Sequence, residues 1–195
     1  HWTEATDTLR AAQSVLVVTH YNPDGDAIGS MLGLSLALRQ MGKRVICAVD
    51  GGVPPFLKFL PGADTVLKKV RGSKVDLMIA TDCGDLARAG QVGAAGVKFA
   101  SQVINLDHHP TNDLFGDLQL VVPEAVSAAE IVFDWLNLLE HPIDADVATA
   151  LLTGMVTDTI GFRVNSVTTR TMAIASALME AGASLYDISA RTLDS

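Results

Sequence analysis

Residues 15–30 run from an apolar stretch into His20-Tyr21-Asn22-Pro23-Asp24-Gly25-Asp26 and then into a second apolar segment. A histidine and two aspartates spaced H-x-x-x-D-x-D offer three good ligands for a hard or borderline divalent cation. Pro23 and Gly25 permit the sharp turn that would bring them together. Asp26 also stands where the N-cap of the following helix belongs, so capping accounts for one of the two aspartates. It leaves His20 and Asp24 unexplained. The same arrangement recurs downstream. Asp82 ends the apolar run 76–82, Asp107-His108-His109 ends the run 102–107, and Asp158 lies among small and apolar residues. Taken singly these have plainer readings: Asp82 as a turn former, Asp158 as a cap for the turn at Gly161, and His108-His109 as a surface pair.

Chemistry at all four places requires elements that bring them to one edge. Residues 14–19, 44–49, 76–82, 102–107 and 118–122 read as strands, short apolar runs bounded by turn chemistry. Residues 3–13, 27–41 and 127–139 read as helices, with Ile131, Leu136, Leu138 and Leu139 to bury, and the pattern from Asp144 onward is helical apart from a turn at 161–165. Gly42 stops the second helix, and 51–55 and 61–62 are turns around a short helical piece at 56–60. Strands alternating with helices imply right-handed crossovers and an α/β, doubly wound, mainly parallel five-stranded sheet. Helices are expected on both faces, with a helical C-terminal segment, all in one domain spanning 1–195. Ligands bind such sheets outside the carboxyl ends of the strands. Carboxylates converging there without a cation would raise one another's pKa and destabilise the fold. A pair of divalent metals sharing one carboxylate removes that repulsion.

Composition narrows the function. The chain has 195 residues, 49% hydrophobic and 18% charged, and a net charge of −8. An acidic chain is a poor match for duplex nucleic acid, which calls for a basic face, yet bound metal inverts the local charge where a phosphate would sit. No apolar run is long enough to span a bilayer, so no membrane partner is expected. The opening residues carry no signal-peptide pattern, and the chain begins at His1 without an initiating Met. Cys47 and Cys83, both in or beside expected strands, read as reduced thiols of a cytoplasmic protein.

His20-Tyr21-Asn22-Pro23-Asp24-Gly25-Asp26-Ala27, Asp82, Asp107-His108-His109 and Thr157-Asp158-Thr159 resemble, in order and spacing, the four motifs of the DHH phosphoesterase superfamily, which has a RecJ-like fold. The resemblance covers essentially the whole chain. Gly161-Phe162-Arg163 and Ala181-Gly182-Ala183 look most like the nanoRNase and pAp-phosphatase branch, whose members trim very short oligonucleotides and dephosphorylate 3′-phosphoadenosine 5′-phosphate (pAp). Cyclic-dinucleotide phosphodiesterases are close relatives.

The resemblance implies that His20 and Asp24 hold one metal, that Asp26, His108 and Asp158 hold the other, and that Asp82 bridges them. It implies that His109 reaches the scissile phosphate and that Asp107 orients a ligand histidine. Such a pair of ions supplies a bridging hydroxide for in-line attack. Mixed His and Asp ligands favour Mn²⁺, with Mg²⁺ the second choice. Relatives of this branch carry a second, substrate-gripping domain, and no such segment is found before Ser195, so a truncated chain or a lost domain is expected. Two other readings compete: an inorganic pyrophosphatase of the second family, and a non-catalytic nucleotide-binding scaffold that keeps the fold.

Arg163 reads equally as a phosphate contact and as a solvated turn residue. Arg88 reads as structural, paired with Asp85, and Cys83 as a small buried thiol. Gly25, Gly29 and Ser30 form neither a dinucleotide fingerprint nor a P-loop.

Overall fold

The computed structural model describes residues 1–194. Five strands form one sheet: β1 (Ser14–Thr19), β2 (Arg44–Ala48), β3 (Val75–Thr81), β4 (Ala100–Asp107) and β5 (Leu118–Val121). Every pairing is parallel, in the order β2-β1-β3-β4-β5. The expected doubly wound sheet is therefore present, and parallel throughout. Its central strands are apolar along their whole length because both faces are covered; all six residues of β1 are buried. From β1 the chain steps outward to β2 and then crosses back to β3. The order of winding thus reverses between β1 and β3, where a doubly wound sheet opens a crevice at its carboxyl edge.

The two faces are covered unequally. Val15, Val17, Leu77, Ile79, Ile104 and Leu106 pack with six helices: α1 (Trp2–Ala11), α2 (Gly25–Gln40), α4 (Ala128–Leu138), α5 (Ala145–Asp158), α6 (Thr169–Glu180) and α7 (Leu185–Thr192). The alternate residues Leu16, Val18, Met78, Ala80 and Val103 form a smaller cluster on the other face. Among the described residues α3 (Gly90–Phe99) and the 3₁₀ turn Leu86–Ala89 cover that side, with Val70 and Phe115 also packed against the cluster. Trp135 is fully buried in α4, and its indole N–H donates to Thr6 Oγ1 at 3.0 Å, tying α4 to α1. In α4 Ile131 and Leu136 are buried as expected, whereas Leu138 is exposed.

α2 and α5 pack against each other more extensively than any other pair of elements. Small residues make the approach possible. A Cβ on Gly29 would lie 2.5 Å from the Ala150 carbonyl oxygen, and one on Gly154 would lie 2.8 Å from Asp26 Oδ1. Only glycine tolerates backbone at that distance. The helix that starts after the first motif and the helix that ends in the fourth are thereby held side by side.

Candidate metal centre

The turn after β1 begins at His20. Its Nδ1 is 2.8 Å from the Tyr21 carbonyl oxygen. A carbonyl only accepts, so that nitrogen carries a proton, and Nε2 faces inward, able to bind a cation once its own proton leaves. Nε2 lies 3.4 Å from Asp82 Oδ2 and 3.7 Å from Asp24 Oδ1. His108 repeats the device. Its Nδ1 sits 3.3 Å from the Ala125 carbonyl oxygen, and its Nε2 lies 3.0 Å from Asp158 Oδ2 and 3.6 Å from both Asp26 Oδ2 and Asp82 Oδ1. Backbone carbonyls therefore set the tautomer and aim of both rings.

Asp82 lies between these two groups. It follows β3 in a left-handed backbone conformation (φ 61°), which aspartate tolerates better than most side chains. Its amide donates to the Leu106 carbonyl oxygen at 2.9 Å, continuing the β3–β4 ladder one residue past the strand. One carboxylate oxygen thus faces His20 and the other faces His108, across the β1/β3 crevice.

Asp24 and Asp26 exchange the capping role expected of them. Asp24 is the N-cap of α2: its backbone is extended and its Oδ1 accepts from the Ala27 amide at 2.9 Å. Asp26 lies inside the first turn, fully buried. Its Oδ2 accepts from Ala128 N at 2.8 Å and its Oδ1 from Ala129 N at 3.0 Å. The N-terminus of α4, itself capped by Ser127 Oγ, is thus an anion site filled by the protein's own carboxylate. A carboxylate oxygen that accepts one backbone N–H keeps a second acceptor direction, so Oδ2 still faces the cluster. Asp158 ends α5 and is followed by three positive-φ residues, Ile160, Gly161 and Phe162.

Asp107 orients His109 and not His108. Its Oδ1 lies 2.6 Å from His109 Nδ1, and its Oδ2 accepts from Asn112 Nδ2 at 2.8 Å. Asn112 also donates to Asn105 Oδ1 at 3.1 Å and to the Cys83 carbonyl oxygen at 3.1 Å, while Asn105 Nδ2 donates back to Asn112 Oδ1 at 2.9 Å. Sequence reasoning missed both asparagines. The signal was present: Asn105 is an amide between the apolar Ile104 and Leu106, and a buried amide must find partners. Cys47 and Cys83 are both buried and unpaired. Arg163 is exposed, and its Nε donates to the Ile160 carbonyl oxygen at 2.6 Å. The structure holds it in its own turn and does not bring it into the cavity described below.

The electrostatics are those of crowded acids around two imidazoles. Burial alone would lower the His20 pKa, but the facing carboxylates of Asp24 and Asp82 overturn this and push it up to about 10. Burial acts likewise on His108, where Asp158 and Asp82 raise it to about 10. Burial, reinforced by Asp82 and Asp158, raises the Asp26 pKa well above the carboxylate range. Burial pushes Asp107 upward too, but its bonds from His109 and Asn112 outweigh that and hold it below its usual value. Asp107 in turn raises His109.

Two atoms in the cluster are buried without a hydrogen-bond partner, Asp82 Oδ1 and His108 Nε2. His108 Nε2 is close to Asp158 but lacks hydrogen-bond alignment. Orphaned buried polar atoms are costly, and these two face each other across 3.6 Å. His20, Asp24 and Asp82 form one set of candidate ligands within 4.8 Å of one another; Asp26, His108 and Asp158 form a second. Nitrogen and oxygen donors, both imidazoles aimed through Nε2, and an aspartate between the sets fit divalent cations. Beside them opens a cavity of about 280 Å³ lined by His20, Asp24, Asp82, Gly84, Asp85, Arg88, His109 and Thr111.

Fold and cluster define the class: an α/β protein whose sheet edge at the winding switch point presents a His/Asp site able to hold divalent metal. The chain belongs to the DHH family, matching the description "DHH family, N-terminal domain" over residues 14–155. It is 37% identical over 190 residues to the bifunctional oligoribonuclease and PAP phosphatase NrnA of Thermus thermophilus, covering 95% of this chain and 56% of that protein. It is 30% identical to an exopolyphosphatase-related protein from Bacteroides fragilis, superposing with a TM-score of 0.93 over 100% of this chain and 60% of that one. It is also 30% identical over 154 residues to a probable manganese-dependent inorganic pyrophosphatase of Streptococcus thermophilus, covering 75% of this chain and 48% of that protein. The chain spans about half the length of the curated relatives it matches. Among the described residues no helix is long and apolar enough to cross a membrane.

Proposed function

We propose that this chain carries the metal centre of a phosphoesterase that cleaves phosphate esters of short oligonucleotides, of pAp, or of linear or cyclic dinucleotides. The observation that carries this reading is Asp82: one buried carboxylate with one oxygen toward His20 Nε2 and the other toward His108 Nε2. In this reading His20 and Asp24 would hold one divalent ion, Asp26, His108 and Asp158 would hold a second, and Asp82 would contribute to both. Mn²⁺ suits the mixed nitrogen and oxygen donors better than Mg²⁺. When bound, such a pair supplies an activated water at neutral pH and offsets negative charge developing on the phosphate.

The remaining residues position and protonate. His109 borders the cavity and is held by Asp107 at 2.6 Å, which raises its pKa and so favours the cationic ring beside the place a phosphoryl oxygen would occupy. The Asn105–Asn112–Asp107 chain keeps it there. A cavity of 280 Å³ lies just below the usual range of about 300–1,000 Å³ for small-molecule pockets. A phosphoryl end fits inside it, and a nucleoside would extend toward the opening. The Thermus thermophilus relative, named for oligoribonuclease and PAP phosphatase activity, supports a nucleotide substrate.

The pyrophosphatase relative, at 30% identity, favours a second reading in which inorganic pyrophosphate is cleaved at the same centre. A panel of pAp, a dinucleotide, a cyclic dinucleotide and pyrophosphate, each with Mn²⁺, separates the two. Turnover of pyrophosphate alone would refute the nucleotide reading.

A further inference from the structure

We propose that Arg88 is a phosphate-binding residue of this site, its guanidinium gripping the non-bridging oxygens of the scissile phosphoryl group; the inference rests on the phosphoesterase reading above. Residues three apart, Asp85 and Arg88 suggest an ion pair. The structure uses that carboxylate differently. Asp85 Oδ1 accepts from the backbone amide of Arg88 at 2.9 Å and caps the 3₁₀ turn Leu86–Ala89. Among the described residues no carboxylate lies within 4.0 Å of the Arg88 guanidinium, although Asp24, Asp82 and Asp85 border the same cavity. Arg170 is the contrast: it is committed to Glu130 and Asp134.

The backbone beneath Arg88 is anchored on both sides. Its carbonyl oxygen accepts from Tyr21 N at 2.8 Å, which ties it to the turn carrying His20 and Asp24. Three and four residues on, Gln91 N and Val92 N donate to Asp50 at 2.7 Å and 3.0 Å, fixing the start of α3. Among the described residues lining the cavity Arg88 is the only arginine or lysine. A fixed backbone with an uncommitted guanidinium, beside a metal-ligand cluster, is what oxyanion recognition requires. The planar fork meets two phosphoryl oxygens at once and stays charged at every working pH, which a lysine matches only as a point charge. His109 and Arg88 border the same cavity, so a phosphate there receives a donor from each.

Isothermal titration of the Mn²⁺-loaded chain with 5′-AMP, and with adenosine as the phosphate-free control, tests this. Arg88→Ala is expected to weaken AMP binding about ten- to hundredfold, the usual loss of a hydrogen bond to a charged group. Arg88→Lys should recover part of it, and all three proteins should have the same metal content and melting temperature. AMP bound as tightly by Arg88→Ala as by the wild type would overturn the assignment and leave the metal centre standing. So would a fall in metal content or melting temperature in that variant, which would make Arg88 structural. A wild-type chain that takes up no Mn²⁺ would overturn the phosphoesterase reading and this inference together.

Discussion

Metal binding to this site should be a proton-releasing reaction. His20 and His108 each have a pKa of about 10 without metal, pushed there by facing carboxylates. Both therefore lie about three units above pH 7 and are almost wholly protonated. Each must lose its proton to offer Nε2 to a cation. These two imidazoles should together release about two protons per chain when the site fills at pH 7, any proton held by Asp26 adding to the count, and their release alone should raise the overall binding constant about a hundredfold per pH unit until the pH nears 10. The metal-free fold should respond in the opposite direction. Folded pKa values above the unfolded value of about 6.5 mean that these charged pairs stabilise fully below that pH, and their contribution is lost as pH rises through about 10. Titration calorimetry of Mn²⁺ in buffers of different ionisation heat counts the protons directly. His20→Gln and His108→Gln should each lower the count by about one. Near-zero proton release at pH 7, with affinity flat between pH 6 and 9, would refute the assignment of these two imidazoles as ligands.

Three further outcomes are expected. His109→Ala should keep its metal and lose activity, about 3 kcal/mol of transition-state stabilisation if it acts as a single electrostatic donor; metal analysis beside kinetics checks this, and a lost ion would make His109 a ligand. Gly29→Ala should destabilise the metal-free fold by about 1–3 kcal/mol in urea unfolding, because its Cβ would meet the Ala150 carbonyl oxygen at 2.5 Å; an unchanged midpoint would mean that α2 and α5 do not approach so closely. Mn²⁺ at a hundredfold excess over its dissociation constant should stabilise the fold by roughly 2.7 kcal/mol, raising the melting temperature, with chelator reversing it. An unchanged melting temperature would show that the aspartates do not act as one site.

The sheet was legible because each strand is a short apolar run bounded by turns, and the histidines and aspartates stood out because they interrupt those runs at their ends. Parallel winding then does the rest: it carries every strand's carboxyl end to one edge. What stayed illegible depends on distant partners. Asp26 sits where a cap belongs, yet Asp24 does the capping, because the N-terminus of α4, some hundred residues away in sequence, claims Asp26. His108 and His109 are adjacent, so Asp107's choice between them follows from the path of the connection to β5 and from Asn112. Arg88 looked paired with Asp85 because spacing reports proximity and not the backbone amide that takes the carboxylate first.

Asp82 tests the account most directly. In this account its carboxylate lies between the two candidate ligand sets, one oxygen toward His20 and the other toward His108, so removing it should weaken both metals together. The measurement is manganese bound per chain, counted after equilibrium dialysis, in the wild type and in Asp82→Ala. Wild type should hold two ions. Asp82→Ala, folded by circular dichroism, should hold neither tightly and should not turn over substrate. Two tightly bound ions and near-normal turnover in that variant would contradict the shared-carboxylate centre.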